Sequence, residues 1–323
     1  MAKPRVLVTR RWPQAVEAKM AQVFDLTLNR ADKPLSVTEL KEALGQYDAV
    51  LPTVTDRLPA AVFDRAGSRT RILANYGVGF AHIDTEAAKA SAITVTNTPD
   101  VLSECTADIA MTLMLMVARR ASEGERELRD GRWTGWRPTH LIGTKVSGAT
   151  LGIIGFGRIG QAMAQRAHFG FGMKILVQNR SPVPAEILAR YNAVQVPTIE
   201  ELLPQCDFVS LHCPGGAANR HLINSRRLDL MRPGAFLINT ARGEVVDEHA
   251  LAQALWFGTI GGAGLDVFER EPQIPDELLG SDNLVLLPHL GSATRETREA
   301  MGFRVLDNLT DFFEGRQPRD RVA

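Results

Sequence analysis

Leu151-Gly152-Ile153-Ile154-Gly155-Phe156-Gly157-Arg158-Ile159-Gly160 decides the architecture. A short apolar run enters a Gly-x-Gly-x-x-Gly turn, and a helix-like segment from about Arg158 to Phe169 leaves it. Each glycine has its own physical role. The first permits a tight turn, the second lets backbone approach a pyrophosphate, and the third lets the helix pack on the strand. Backbone N–H groups and the positive end of the helix then face the phosphates. The setting therefore predicts dinucleotide binding at Gly155, Gly157, Arg158, Ile159 and Gly160. No Gly-Lys-Ser/Thr follows, which excludes a phosphate-only P-loop.

Working outward, short apolar runs continue at 175–177, 208–211, 235–238, 265–267 and 284–287, and an earlier series lies at 6–8, 49–51, 72–74 and 93–95. Such runs match buried strands. The segments between them match helices, one opened by a capping box in which Ser36 is followed by Glu39. Alternation of this kind predicts an α/β chain with parallel sheets covered on both faces. The pattern breaks near Asn97-Thr98-Pro99-Asp100 and restarts at Thr150. The expectation is two doubly wound, Rossmann-like domains separated by a cleft, with the first crossing near residue 100. No fixed-period repeat or low-complexity segment competes.

Composition narrows the function classes. Lys plus Arg number 37 and Asp plus Glu number 37, so overall charge favours neither nucleic acid nor an anionic membrane. The N-terminal run Val6-Leu7-Val8 lacks the length and cleavage site of a secretory signal, and the location expected is the cytoplasm. The most apolar stretch, Ile109 to Ala118, is shorter than the roughly 20 residues that span a bilayer, and reads as a buried helix. Cys105, Cys206 and Cys213 have neither disulfide nor zinc spacing. His82, His140, His168, His221 and His249 offer no metal-ligand spacing, so no metal is expected.

Five separated motifs resemble the D-isomer-specific 2-hydroxyacid dehydrogenase family, particularly its glyoxylate/hydroxypyruvate reductase branch. They are Asn75-Tyr76-Gly77-Val78-Gly79-Phe80, the glycine turn, Asn239-Thr240-Ala241-Arg242-Gly243, the run from Gly264 to Pro272, and Pro288-His289-Leu290-Gly291. The resemblance implies that the chain returns to its first domain near residue 290. A substrate (catalytic) domain of residues 1–100 plus 291–323 would then flank a dinucleotide-binding domain of 101–290. It also implies a catalytic set of Arg242, Glu271 and His289, and each suits reduction of a 2-keto acid. A guanidinium clamps planar carboxylate and carbonyl oxygens with directed bonds. Imidazolium donates the proton that the alkoxide needs near neutral pH. A carboxylate on the ring's other nitrogen orients it and favours the charged form. Taken singly, Arg242 could be an anion anchor, Glu271 a surface charge and His289 a loop histidine.

By the same resemblance, Val78 and Gly79 receive the substrate carboxylate on backbone N–H groups, Asp266 contacts the nicotinamide carboxamide, and His212-Cys213-Pro214 lies near the adenine. Thr240 and Gly291 join the cofactor side. For Thr106, contact with the cofactor phosphates and ordinary helix capping are both open. A homodimer is implied through the 109–120 region.

Cofactor preference is read after the glycine turn, in Gln178-Asn179-Arg180-Ser181. An NAD-selective site places Asp or Glu about 20 residues beyond the fingerprint, and this chain has none before Glu186. Arg180 can pair with a 2′-phosphate while Asn179 or Ser181 adds neutral hydrogen bonds. NADP(H) is the cofactor expected, with NAD(H) as the alternative. The competing functions are phosphite oxidation on a similar constellation, another 2-hydroxyacid dehydrogenase activity, and a nucleotide-sensing corepressor.

Overall fold

The structure, a computed structural model, describes residues 2–64 and 67–323. The chain forms two compact units, one running to Leu102 and resuming from Ala293 to Ala323, the other Ser103–Ser292. In the first unit, β1 (Arg5–Val8), β2 (Asp25–Leu28), β3 (Ala49–Leu51), β4 (Ile72–Ala74) and β5 (Thr94–Thr96) form a sheet in the order β2-β1-β3-β4-β5. In the second, β6 (Thr150–Ile154), β7 (Lys174–Gln178), β8 (Ala193–Gln195), β9 (Phe208–Leu211), β10 (Phe236–Asn239), β11 (Gly262–Leu265) and β12 (Leu284–Leu286) run β12-β11-β10-β9-β6-β7-β8. Every strand pair is parallel. Both sheets reverse their winding beside their first strand, which is where open α/β sheets take ligands at the carboxyl ends of strands.

Register then sorts the residues. Ile154 lies opposite Gln178 and Leu211, Leu211 opposite Asn239, and Asn239 opposite Leu265. One residue further on, Asn179, Gly155, His212, Thr240 and Asp266 leave the sheet in a row. In the first unit Ala74 pairs with Thr96, so Asn75 and Asn97 leave together.

Helices cover the strands because parallel strands are apolar on both faces. The apolar stretch expected as a buried helix is the core of the helix Ser103–Ala118, which packs on β10, β11 and β12. Glycines in β11 bring it close: a Cβ on Gly264 would stand 2.8 Å from Leu113 Cβ, and one on Gly262 2.8 Å from Val117 Cγ2. The expected capping box is present on the helix Val37–Gln46, with Glu39 N–H donating to Ser36 Oγ at 3.2 Å and Ser36 N–H to Glu39 Oε2 at 2.7 Å.

The sequence pattern missed β2 and β8. Both are edge strands with no fully buried residue, so neither shows a continuous apolar run. The strand expected at 265–267 is β11, starting at Gly262, because glycines hide a buried strand from a hydrophobicity pattern. The helix after the glycine turn is α-helical over Arg158–Gln165 and widens into a π turn over Arg166–Gly170. Among the described residues no helix is long and apolar enough to cross a membrane.

Candidate active site

The glycine turn is built from three different constraints. Gly155 has φ +91°, and a Cβ there would come within 2.6 Å of Cys213 N, where the ends of β6 and β9 converge. A Cβ on Gly160 would stand 2.3 Å from Gly155 O, so the helix sits directly on the turn. Gly157 differs, because a Cβ there would meet nothing within 4 Å. Its side of the turn opens onto space, at the uncapped start of the helix Arg158–Gln165. This is the shape a pyrophosphate needs, and the residues present fit a dinucleotide.

Around the turn, Asn179 braces the backbone. Its Oδ1 accepts from Phe156 N–H at 3.1 Å and its Nδ2 donates to Ser181 O at 2.9 Å. Both ends of that amide are engaged within the chain. Arg180 and Ser181 are exposed, and the Arg180 side chain has no hydrogen bond or ion pair among the described residues. His212 N–H donates to Ile154 O at 2.8 Å, and its Nε2 lies 2.9 Å from Ser210 Oγ. Burial pushes this imidazole down to about 4, so it is neutral, and burial pushes the Cys213 thiol up to about 11. His212 Nδ1 and Thr240 Oγ1 are buried without a hydrogen-bond partner among the described residues. Pro214 accepts a bond from Asn219 on its carbonyl.

Arg242 follows β10 on a turn held by Asn239, which accepts from Ala241 N–H at 3.0 Å and donates to Arg242 O at 2.9 Å. The half-buried guanidinium donates to Ala241 O at 2.6 Å and makes no ion pair among the described residues. Burial pulls its pKa down, with Glu244 and Glu271 acting against that. A cation so placed, with donors left over, suits an incoming carboxylate. Gly243 brings this turn against the segment carrying Glu271: a Cβ there would overlap Phe268 C at 1.8 Å.

Glu271 and His289 form a pair. Glu271 Oε2 lies 2.8 Å from His289 Nδ1, and Oε1 accepts from Phe268 N–H at 3.1 Å. Burial works to raise the Glu271 carboxyl, but the His289 bond and charge, Phe268 N–H and Arg242 outweigh it and hold the group below the ordinary carboxylate range. An ionised carboxylate only accepts, so Nδ1 carries the proton of this bond, and Nε2 makes no hydrogen bond among the described residues. Asp266, 1% exposed, ties the histidine turn: Oδ1 accepts from Leu290 N–H at 2.6 Å and Oδ2 from Gly291 N–H at 2.8 Å, while His289 N–H donates to Asp266 O at 2.9 Å. His289 itself sits at φ +57°. Thr106, buried in the fourth position of its helix, lies beside Gly291, whose Cβ would come 3.4 Å from Thr106 Cγ2.

Glu248 escaped the sequence reading. It is buried, its Oε1 accepts from Glu269 N–H at 2.7 Å, and burial pushes its carboxyl up. Its only signal was an acidic residue at a helix start.

In the first unit, Asn75 Nδ2 donates to Gly77 O at 2.9 Å and Gly79 O at 3.1 Å, and Asn97 Nδ2 to Val78 O at 2.8 Å. With these carbonyls pinned, the N–H groups of Val78 and Gly79 have no backbone partner among the described residues. Among the described residues no group of three His, Cys, Asp or Glu side chains is placed to hold a metal ion.

Comparison with known proteins bears on this arrangement. Residues 111–291 match the model of the D-isomer specific 2-hydroxyacid dehydrogenase, NAD binding domain. The chain is 44% identical to a glyoxylate reductase from Thermococcus onnurineus over 320 residues, covering 98% of this chain and 95% of that one. A solved structure of a Thermus thermophilus protein superposes with a TM-score of 0.90 at 42% identity, covering 99% and 100% of the two chains. The NADPH-dependent glyoxylate/hydroxypyruvate reductase from Sinorhizobium meliloti, solved with NADP and malonate, gives 0.88 at 36% identity over 100% and 97%.

Proposed function

The chain belongs to the D-isomer specific 2-hydroxyacid dehydrogenase family, in its glyoxylate reductase branch, and we propose that it reduces glyoxylate or hydroxypyruvate to the 2-hydroxy acid, preferring NADPH to NADH. The observation that carries the reaction is the Glu271–His289 pair in one unit with an Arg242 guanidinium that makes no ion pair among the described residues. A bound nicotinamide dinucleotide supplies the hydride to the carbonyl carbon. Arg242 holds the keto acid's oxygens and draws charge onto the carbonyl oxygen. His289 donates its Nε2 proton to the oxygen that becomes the hydroxyl, while Glu271 keeps the ring aligned and stabilises its charge. Asp266 fixes the height of the histidine turn, and the proposed nicotinamide contact adds to that role.

The NADPH preference rests on Arg180, exposed beyond β7 and without a side-chain partner among the described residues, with no carboxylate in the adjoining turn. The NADP complex of the Sinorhizobium meliloti enzyme supports it. Leu128, Trp136 and Ile142 are 59%, 82% and 65% exposed after the long apolar helix, which supports a homodimer. Initial rates with glyoxylate, hydroxypyruvate and pyruvate, each with NADPH and NADH, test the reading. Higher kcat/KM with NADPH on either of the first two acids is expected, and no turnover on any acid overturns the proposal.

A further inference from the structure

We infer that Gln195, the last residue of edge strand β8, is a positioning residue that sets cofactor selectivity by bracing the loop that carries Arg180. The inference rests on the reading that Arg180 receives the 2′-phosphate of NADPH. The loop is Asn179-Arg180-Ser181-Pro182-Val183-Pro184. Neither proline has an N–H, so between them Val183 offers a single backbone donor, and it donates to Gln195 Oε1 at 2.8 Å. The same amide turns its Nε2 to the other side of the loop, donating to Ser181 O at 3.3 Å and, more weakly, Asn179 O at 3.5 Å. Asn179 Nδ2 meets the same Ser181 carbonyl.

One neutral side chain thus ties residues 179, 181 and 183 to the sheet, where Gln195 pairs with Val177. Arg180 stands between the first two of these positions, with no side-chain partner of its own among the described residues. A flexible arginine on a loose loop would lose much of its electrostatic gain to ordering, and fixing the backbone beforehand removes part of that cost. Glutamine suits the position because it accepts and donates at once and adds no charge beside a phosphate.

Calorimetry on the full chain separates the two claims, with adenosine 2′,5′-bisphosphate and adenosine 5′-monophosphate as probes that differ only in the 2′-phosphate. Arg180→Ala is expected to weaken the bisphosphate more than tenfold and leave the monophosphate within about twofold. Gln195→Ala should weaken the bisphosphate about five- to tenfold, spare the monophosphate, and add little once Arg180 is already alanine. Gln195→Met, which keeps the length of the side chain, adds no charge and loses the bonds to Val183, Ser181 and Asn179, should show the same selective loss. If Arg180→Ala leaves bisphosphate binding intact, the NADPH reading falls and this inference with it. If Arg180→Ala is selective while both Gln195 variants bind like the parent, or lose both nucleotides equally, the inference alone is overturned.

Discussion

Two turns in this chain present backbone N–H groups at the carboxyl edge of a parallel sheet, and they do so by opposite means. After β6, glycine supplies the freedom: Gly155 reaches φ +91° and Gly157 leaves space that any Cβ would enter. After β4, asparagine supplies the restraint: Asn75 and Asn97 hold the carbonyls of Gly77, Val78 and Gly79. The first turn leaves the room that a pyrophosphate needs, whereas the second leaves the Val78 and Gly79 N–H groups without a backbone partner among the described residues. Removing an atom should harm the second, and adding one should harm the first.

The largest expected effect separates two glycines of one motif. Gly155→Ala places a methyl 2.6 Å from Cys213 N at a left-handed φ, so it should lower the melting temperature of the protein without cofactor, by roughly 3 kcal/mol or more of stability. Gly157→Ala meets nothing within 4 Å and should leave that temperature unchanged while weakening NADPH about tenfold or more. Calorimetric scans and cofactor titrations of both variants measure this. Equal destabilisation would remove the distinction between a glycine needed for packing and one needed for the ligand.

Next comes the turn of Glu271 and His289, which uses carboxylates where the other two use glycine and amide. Glu271→Gln should lower kcat about ten- to a hundredfold, because the amide cannot serve both His289 and Phe268 N–H as two acceptors. The Glu271 carboxyl lies below its ordinary range in the folded chain. Its contribution to stability is therefore complete above the unfolded value and disappears as pH falls through the lower folded one. In the Gln variant that contribution is missing, so the difference in melting temperature between neutral and acid pH should shrink. A parent-like acid profile would detach Glu271 from the pair.

A smaller effect is expected for Asn75→Ala, which releases two carbonyls and the 3.0 Å contact between Asn75 Oδ1 and His82 Nε2. KM for the keto acid should rise about tenfold with a lesser change in kcat, since bonds of roughly 1 kcal/mol each order the loop. An unchanged KM would mean that Val78 and Gly79 do not receive the substrate.

What could be read from the chain follows the same division. The glycine turn, the Ser36 cap and the order of apolar strands were legible because each is a local pattern with a fixed spacing. Arg242, Glu271 and His289 were reached through motifs around them, whereas their geometry depends on register, which carries Thr240 and Asp266 to the edge beside Gly155. Gln195 and Glu248 stayed hidden, and the bracing done by Asn97 and Asn239 was not visible in the motifs that contain them. Their partners lie across strands or turns, and a lone amide or helix-start acid has no spacing that marks it. Edge strands β2 and β8 were missed for a related reason, since half-exposed segments lack the apolar continuity that reveals β9.

The smallest expected effect concerns Thr240, which leaves the sheet between His212 and Asp266 with Oγ1 buried and unpartnered among the described residues. A buried hydroxyl without a partner costs stability, whereas an apolar group of the same shape does not. Thr240→Val exchanges that hydroxyl for a methyl at nearly constant volume. In the absence of cofactor the variant should therefore match the parent or gain up to about 1 kcal/mol, read as a slightly higher melting temperature. With cofactor the sign should reverse if Thr240 is a cofactor contact, since loss of the hydroxyl should then weaken NADPH by about threefold to tenfold. The two measurements together decide the role: a gain without cofactor and no loss with it would make Thr240 a residue of the sheet alone.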